Sequence, residues 1–151
     1  MNKYWLVKTE EDVYPITQLK KDKQTLWDGV RNYQARNYLK EMKKGDIVFI
    51  YHSNTDVTGI VGLAEVSKEA VPDPLQFQKN SDYFEEKASP ENPRWFSPTL
   101  KFKEMFKETI SLTYLKSKSF MKDSPLIGAG NRLSVIPMTE KQAKGILSSL
   151  K

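Results

Sequence analysis

Ile47-Val48-Phe49-Ile50-Tyr51 is an unbroken run of β-branched, aromatic and other large apolar residues. Gly45-Asp46 precedes it, and His52-Ser53-Asn54 forms a polar exit. A run of this length between turn residues reads as a buried strand, so the fold must be organised around a sheet. Thr58 to Val66 reads as the next strand, paired to the first as an antiparallel hairpin. Its glycines, Gly59 and Gly62, suggest a bend, a bulge or a close approach to the backbone.

The rest of the chain supplies more strands and only short helices. Tyr4 to Lys8, Thr99 to Phe106 and Arg132 to Ile136 read as strands. Pro15 to Lys20 reads as a short helix with Pro near its first turn. Asn32 to Met42 reads as a helix whose Ala35, Leu39 and Met42 face the core. Leu112 to Lys118 is another short helix. Thr139-Glu140-Lys141-Gln142 is a capping box opening a last helix, with Ala143, Ile146, Leu147 and Leu150 on its apolar face. Between residues 72 and 98 runs a proline-stiffened excursion carrying Tyr83, Phe84, Trp95 and Phe96. Loops this long in a compact domain are functional or disordered, and the aromatics argue for order. The expectation is an α+β fold with about five or six strands. A small closed or nearly closed β-barrel with short flanking helices would leave no exposed edges.

The chain of 151 residues is expected to be a single domain over 1–151. No apolar run approaches the roughly 20 residues of a membrane span, and the apolar stretch at residues 4–7 is too short for a signal core. No membrane partner is expected, and a cytoplasmic location is the default. Cysteine is absent and His52 is the single histidine, so thiolate zinc sites are excluded and no metal or other cofactor is expected. The segment Gly128-Ala129-Gly130-Asn131 lacks the lysine and spacing of a phosphate-binding loop. The net charge of +5 hints at an anionic partner, although many lysines sit in solvated stretches such as Lys20 to Lys23.

The least ordinary segment is Trp27-Asp28-Gly29-Val30-Arg31-Asn32-Tyr33-Gln34-Ala35-Arg36-Asn37. Arg and Asn offer planar, forked donors, and Asn adds an acceptor. Trp and Tyr offer flat faces on which a base can stack. These are the parts needed to hold one nucleotide: rings for the base, amides for its edge, guanidinium groups for phosphate. The plain alternative is a turn leading into an amphipathic helix.

These residues, with Tyr4-Trp5-Leu6-Val7-Lys8, Lys44-Gly45-Asp46, Tyr51-His52-Ser53-Asn54, Gly59-Ile60-Val61-Gly62, Pro72-Asp73-Pro74, Pro90-Glu91-Asn92-Pro93-Arg94-Trp95 and Arg132-Leu133-Ser134-Val135, closely resemble the EVE domain of the PUA-like superfamily. The likeness covers almost the whole chain in order and spacing. One departure is Lys8-Thr9-Glu10-Glu11, where the family has Lys-Ser-Glu-Pro. Thr keeps the hydroxyl, but the loss of Pro loosens that turn. The YTH domain is a more distant likeness, with a tryptophan at the matching place in a cage for methylated adenine. The resemblance implies a PUA-like barrel and a pocket for a modified base, single-stranded or flipped from its duplex.

Trp27 is then the expected wall of the pocket, a core position being the alternative. Arg31, Asn32, Arg36 and Asn37 would hold base edge and phosphate. Lys8 and Glu10 emerge from the first strand at the same mouth, unless they only pair with each other. Tyr51, His52, Ser53 and Asn54 end the buried strand, where Ser53 and Asn54 have edges suited to a base. Arg94, Trp95, Arg132 and Ser134 would contact backbone phosphate or staple the excursion. Three functions compete. The favoured one is a non-catalytic, monomeric reader of a modified, methylated base in DNA or RNA, with no catalytic residue. The second is a small ribonuclease or hydrolase, as similar ASCH-type barrels imply, using His52, Lys8 or Tyr51 as acid or base. The third is a protein-interaction module built on the excursion.

Overall fold

The computed structural model describes residues 2–128 and 132–150, so residues 129–131 of the glycine-rich segment lie outside the described residues. Six strands run as β1 (Tyr4–Glu10), β2 (Gln24–Leu26), β3 (Ile47–Ser53), β4 (Gly59–Pro72), β5 (Phe96–Ser111) and β6 (Val135–Met138). They form one mixed sheet in the order β2-β5-β4-β3-β1-β6. β1 lies parallel to β3, and the other pairings are antiparallel. Four helices accompany it: α1 (Ile16–Asp22), α2 (Tyr33–Glu41), α3 (Leu112–Lys116) and α4 (Glu140–Ser148). The α+β class expected from the sequence is therefore observed. Among the described residues no ladder joins β2 to β6, so the pairing runs from edge to edge rather than round a closed ring.

The unbroken apolar runs are explained by cover on both faces. Trp5, Val7, Val48 and Ile50 point to one side, where Ile16 and Leu19 of α1 and Ala35 and Leu39 of α2 pack on them. Leu6, Phe49 and Tyr51 point to the other, against Leu115 of α3 and Ala143 and Ile146 of α4. The β3–β4 hairpin is present, with a register shift between Ile50 and Tyr51. Both close approach and bulge occur at Gly62: a Cβ there would stand 2.2 Å from Ile16 Cδ1 and 2.3 Å from the Glu104 carbonyl oxygen. Any side chain there would collide with the backbone of β5.

Several boundaries differ from the sequence reading. β2 was not anticipated, because Gln24-Thr25-Leu26 has no apolar run; its backbone pairs with β5 from Gln24 opposite Lys101 to Leu26 opposite Thr99. His52 and Ser53 belong to β3 rather than to its exit. The last strand starts at Val135, and Arg132 precedes it. Leu150 is exposed rather than part of the apolar face of α4. α2 begins at the Asn32 cap, whose Oδ1 accepts from the Ala35 N–H at 2.9 Å. The turn at residues 10–14 is closed despite its missing proline. Val13 N–H donates to the Glu10 carbonyl at 3.0 Å, and Thr9 Oγ1 donates to the Tyr14 carbonyl at 3.0 Å.

The excursion is ordered by one buried glutamine. Gln76, in a 3₁₀ turn at Pro74–Phe77, donates from Nε2 to the carbonyls of Asp73 and Trp95. Its Oε1 accepts from the N–H groups of Arg94 and Trp95. Every polar atom of the amide is thus spent on tying the two ends of the loop together. Among the described residues no helix is long and apolar enough to cross a membrane.

Candidate nucleic-acid interface

The Trp27 segment folds into the wall of a cleft of about 390 Å³. β1 supplies Lys8 and Thr9, the turn after it supplies Val13 and Tyr14, and the chain from Thr25 to Arg31 forms the facing wall. Tyr83 of the excursion and Ser134 complete the rim. Larger concavities of about 750 and 520 Å³ follow the exposed β5 segment and the seam of β1 with α2. The smaller cleft is the one lined by the segment singled out by sequence, from Trp27 to Arg31.

Trp27 is both wall and core. It is 8% exposed, belongs to the cluster under α1 and α2, and meets Tyr14 edge to face at 6.0 Å and 86°. The backbone N–H of Trp27 donates to the Pro98 carbonyl at 2.8 Å, which fixes the segment on β5. Burial first, then the hydrogen bond and charge of Asp22, push the Tyr14 phenol up to about 12, so it stays protonated. Lys8 is half-buried with its ammonium 5.7 Å from the Tyr51 ring centroid, and burial lowers its pKa. Asp28 sits on the rim; desolvation and the nearby Asp73 charge raise its pKa, against its backbone hydrogen bond and Arg31. Among the described residues neither Lys8 nor Asp28 forms an ion pair.

Asp73 fixes the shape of this wall. Fully buried, it accepts from the Gly29 N–H at 2.8 Å, from Arg31 Nη1 at 2.9 Å and from the Leu75 N–H at 2.8 Å. Gly29 adopts φ +80 under the Tyr83 ring, where a Cβ would meet ring carbon at 3.2 Å. Arg31 spends most of its fork internally. Nε and Nη2 donate to the Tyr83 carbonyl, and Nη1 also donates to the Val30 carbonyl. Arg31 therefore lines the cleft as a staple more than as a free phosphate ligand.

The helical half of the segment points elsewhere. Asn32 is occupied as the cap of α2. Tyr33 stacks on Trp95 at 4.7 Å and 24°, and the Arg36 guanidinium lies 4.8 Å from the Tyr33 ring centroid. Arg36 donates to the Arg94 carbonyl and to Asn37 Oδ1, and Arg94 Nη1 donates to the Tyr33 hydroxyl. Tyr33, Arg36, Asn37, Arg94 and Trp95 thus form a second group where α2 meets the excursion.

The end of β3 is a third group, which pairs with β1 beside the cleft but supplies none of its lining residues. His52 is 5% exposed and its Nε2 accepts from the Ile16 N–H at 3.0 Å. It satisfies the first turn of α1, and that nitrogen is not available to a substrate. Burial lowers its pKa, against a smaller raising by Glu11. Tyr51 is buried in the core, which raises its pKa. Asn54 Nδ2 donates to Glu10 Oε1 at 3.1 Å, and Ser53 pairs opposite Glu10. Glu10 is therefore tied to Asn54 rather than to Lys8. Arg132 is exposed ahead of β6, while the Ser134 carbonyl accepts from the Lys8 N–H at 2.9 Å. Sequence reasoning missed Thr9, Val13, Tyr14, Thr25, Leu26 and Tyr83 as cleft residues. They come from three separate segments, and the only signal was the density of aromatics around Tyr83.

The mixed sheet and its cleft define an α+β domain with a pocket built on the Trp27 segment. The profile of the EVE domain matches residues 3–149, and the chain belongs to the EVE family. Human thymocyte nuclear protein 1 is 38% identical over 98% of this chain and 74% of its own length. A crystal structure of a protein from Pseudomonas syringae superposes with a TM-score of 0.95 at 41% identity, covering 98% of this chain and 99% of that one. The crystal structure of human THYN1 protein in complex with 5-methylcytosine-containing DNA superposes with a TM-score of 0.87 at 36% identity, covering 99% of this chain and 98% of that one.

Proposed function

We propose that this protein is a non-catalytic reader of a methylated base in DNA, with 5-methylcytosine as the leading ligand, held in the Trp27 cleft. The observation that carries the reading is the cleft itself: three aromatic rings, two valines, and a cation and an anion without ion pairs among the described residues, around about 390 Å³, in an EVE-family chain. The human relative crystallised with methylated DNA supports the choice of base. The chemistry suits it. Trp27 and Tyr14 offer surface for stacking, worth about 1–3 kcal/mol per base, and Val13 and Val30 offer apolar contact to a methyl group. A carboxylate accepts from the exocyclic amine of cytosine, so Asp28 would favour that edge and repel the O4 oxygen of thymine. Lys8 donates to a ring carbonyl or phosphate. The same reading takes the sheet as a PUA-like barrel, supported by its repeated register shifts along β4 and β5, which bend a sheet on itself.

The test uses three single-stranded oligonucleotides that differ at one position: 5-methylcytosine, cytosine and thymine. One methyl in an apolar pocket is worth roughly 10- to 200-fold, so the methylated strand should bind tighter than its parent by that factor. Thymine carries the same methyl and should bind more weakly than 5-methylcytosine, with the gap reduced in Asp28→Asn. Equal affinity for all three would sink the modified-base reading.

A further inference from the structure

The group where α2 meets the excursion is a single stack that starts at the cleft. Tyr83 lies over Gly29 and under the Arg31 guanidinium, 5.4 Å from its ring centroid. Arg31 lies 5.3 Å from the Trp95 ring, Trp95 is 4.7 Å from Tyr33, and Tyr33 is 4.8 Å from Arg36. Cation–π contacts of this kind fix a guanidinium without neutralising it. The two cations in the stack have different fates. Arg31 is paired with the buried Asp73, but Arg36 at the outer end and its neighbour Arg94 form no ion pair among the described residues. Their hydrogen bonds go to a carbonyl, an amide oxygen and a hydroxyl. A guanidinium has five N–H groups, so both of these partly exposed side chains retain donors.

Resting on the reading of the cleft as a base pocket, we infer that Arg36 and Arg94 form a preorganised phosphate clamp for the nucleic-acid strand whose base occupies the cleft. The stack fixes the distance between base pocket and clamp, because Arg31 and Tyr83 line the one while Arg36 ends the other. A strand seated in the cleft would leave it past the exposed Tyr83 and Tyr33, with Trp95 buried between them, its phosphates meeting cations already held in place. Their side-chain entropy is spent in folding, so little more is lost on binding. Tyr33 is in contact with both Trp95 and Arg36, which makes it a spacer between cleft and clamp. The clamp reads no sequence, as phosphate contacts do not.

The experiment compares wild type with the double variant Arg36→Gln/Arg94→Gln. The probes are free 5-methyl-2′-deoxycytidine and a ten-nucleotide strand carrying one 5-methylcytosine. The expected result is unchanged nucleoside affinity, about tenfold weaker binding of the strand at low salt, and a log–log salt slope shallower by about 1–2. Arg36→Lys/Arg94→Lys should restore the slope, since charge releases the counterions. A double glutamine variant that binds the strand with wild-type affinity and slope overturns the clamp. So does one in which nucleoside and strand affinity fall together with the melting temperature, because the stack would then be a staple alone. If wild type binds no nucleoside while the glutamine variant still flattens the slope for the strand, the base pocket fails and the clamp stands.

Discussion

At the scale of single residues, Trp27 does two jobs that a substitution must separate. Its ring is core to α1 and α2 and wall to the cleft. Trp27→Ala is expected to destabilise by about 3–5 kcal/mol, the usual cost of deleting a buried large aromatic, so lost binding would say nothing about stacking. Trp27→Phe keeps an apolar ring and should remain folded while weakening the methylated strand several-fold; chemical denaturation beside a binding titration checks both parts. A Trp27→Ala variant with wild-type stability would mean that the ring is not core. His52 gives a pH signature. Its imidazole is buried and accepts from Ile16 N–H, so its folded pKa lies below the ordinary 6.5. As pH falls through 6.5 the unfolded chain takes up a proton that the folded chain refuses, and stability drops, by at most about 1.4 kcal/mol per pH unit. Above about pH 7 both states are neutral and the contribution is flat. His52→Gln retains an acceptor for Ile16 and should lose this segment of the profile; thermal melts from pH 7.5 to 5 decide it, and superimposable profiles would assign the sensitivity to other groups.

At the scale of elements, the excursion and the Trp27 turn are one unit, joined by Asp73. Removing that carboxylate leaves the Gly29 and Leu75 N–H groups without their acceptor and takes the ion pair from Arg31, which keeps its carbonyl partners, at up to about 1–3 kcal/mol for each N–H that stays unpaired. Asp73→Ala should therefore open residues 72–98 to limited proteolysis and abolish cleft binding together. Proteolysis unchanged from wild type would show that Gln76 alone holds the loop. Which elements sequence could reveal follows from how they are buried. β1 and β3 have both faces covered, so they appear as apolar runs; β4 is visible only as far as Val66 because no residue of its remainder is buried. β2 is three residues whose identity as a strand lies in the backbone of β5. β5 alternates Lys101, Lys103, Glu104, Lys107 and Glu108 with its apolar residues, and its true length of Phe96–Ser111 was hidden by that mixture. In the cleft, Lys8 and the residues from Trp27 to Arg31 were legible from local composition and family likeness. Tyr14 and Tyr83 were not, since their meeting depends on α1 and the excursion closing from opposite sides. Nor was Arg31 legible as a staple, because Asp73 lies 42 positions along the chain.

At the scale of the whole molecule, the cleft is a continuation of the core on one face of the sheet, through Trp27 and Tyr14. Occupying it should therefore be read out as global stability, whatever the local structure of the complex. A ligand that binds the folded state alone stabilises it by RT ln(1 + [L]/Kd), about 2.7 kcal/mol at a hundred times Kd. For a domain of 151 residues each kcal/mol moves the melting temperature by roughly 2–4 °C, so a strand carrying 5-methylcytosine should raise it by roughly 5–10 °C at that concentration. The parent cytosine strand, bound 10- to 200-fold more weakly, would stand between about ten times and half its own Kd at the same concentration. Its stabilisation is then about 1.4 kcal/mol at best and a few tenths at worst, half the shift or less. Melting in the presence of each strand at equal concentration measures the ratio. Equal shifts for the two would leave a generic nucleic-acid binder held by phosphate contacts, and no shift with either would remove DNA as the ligand of this cleft.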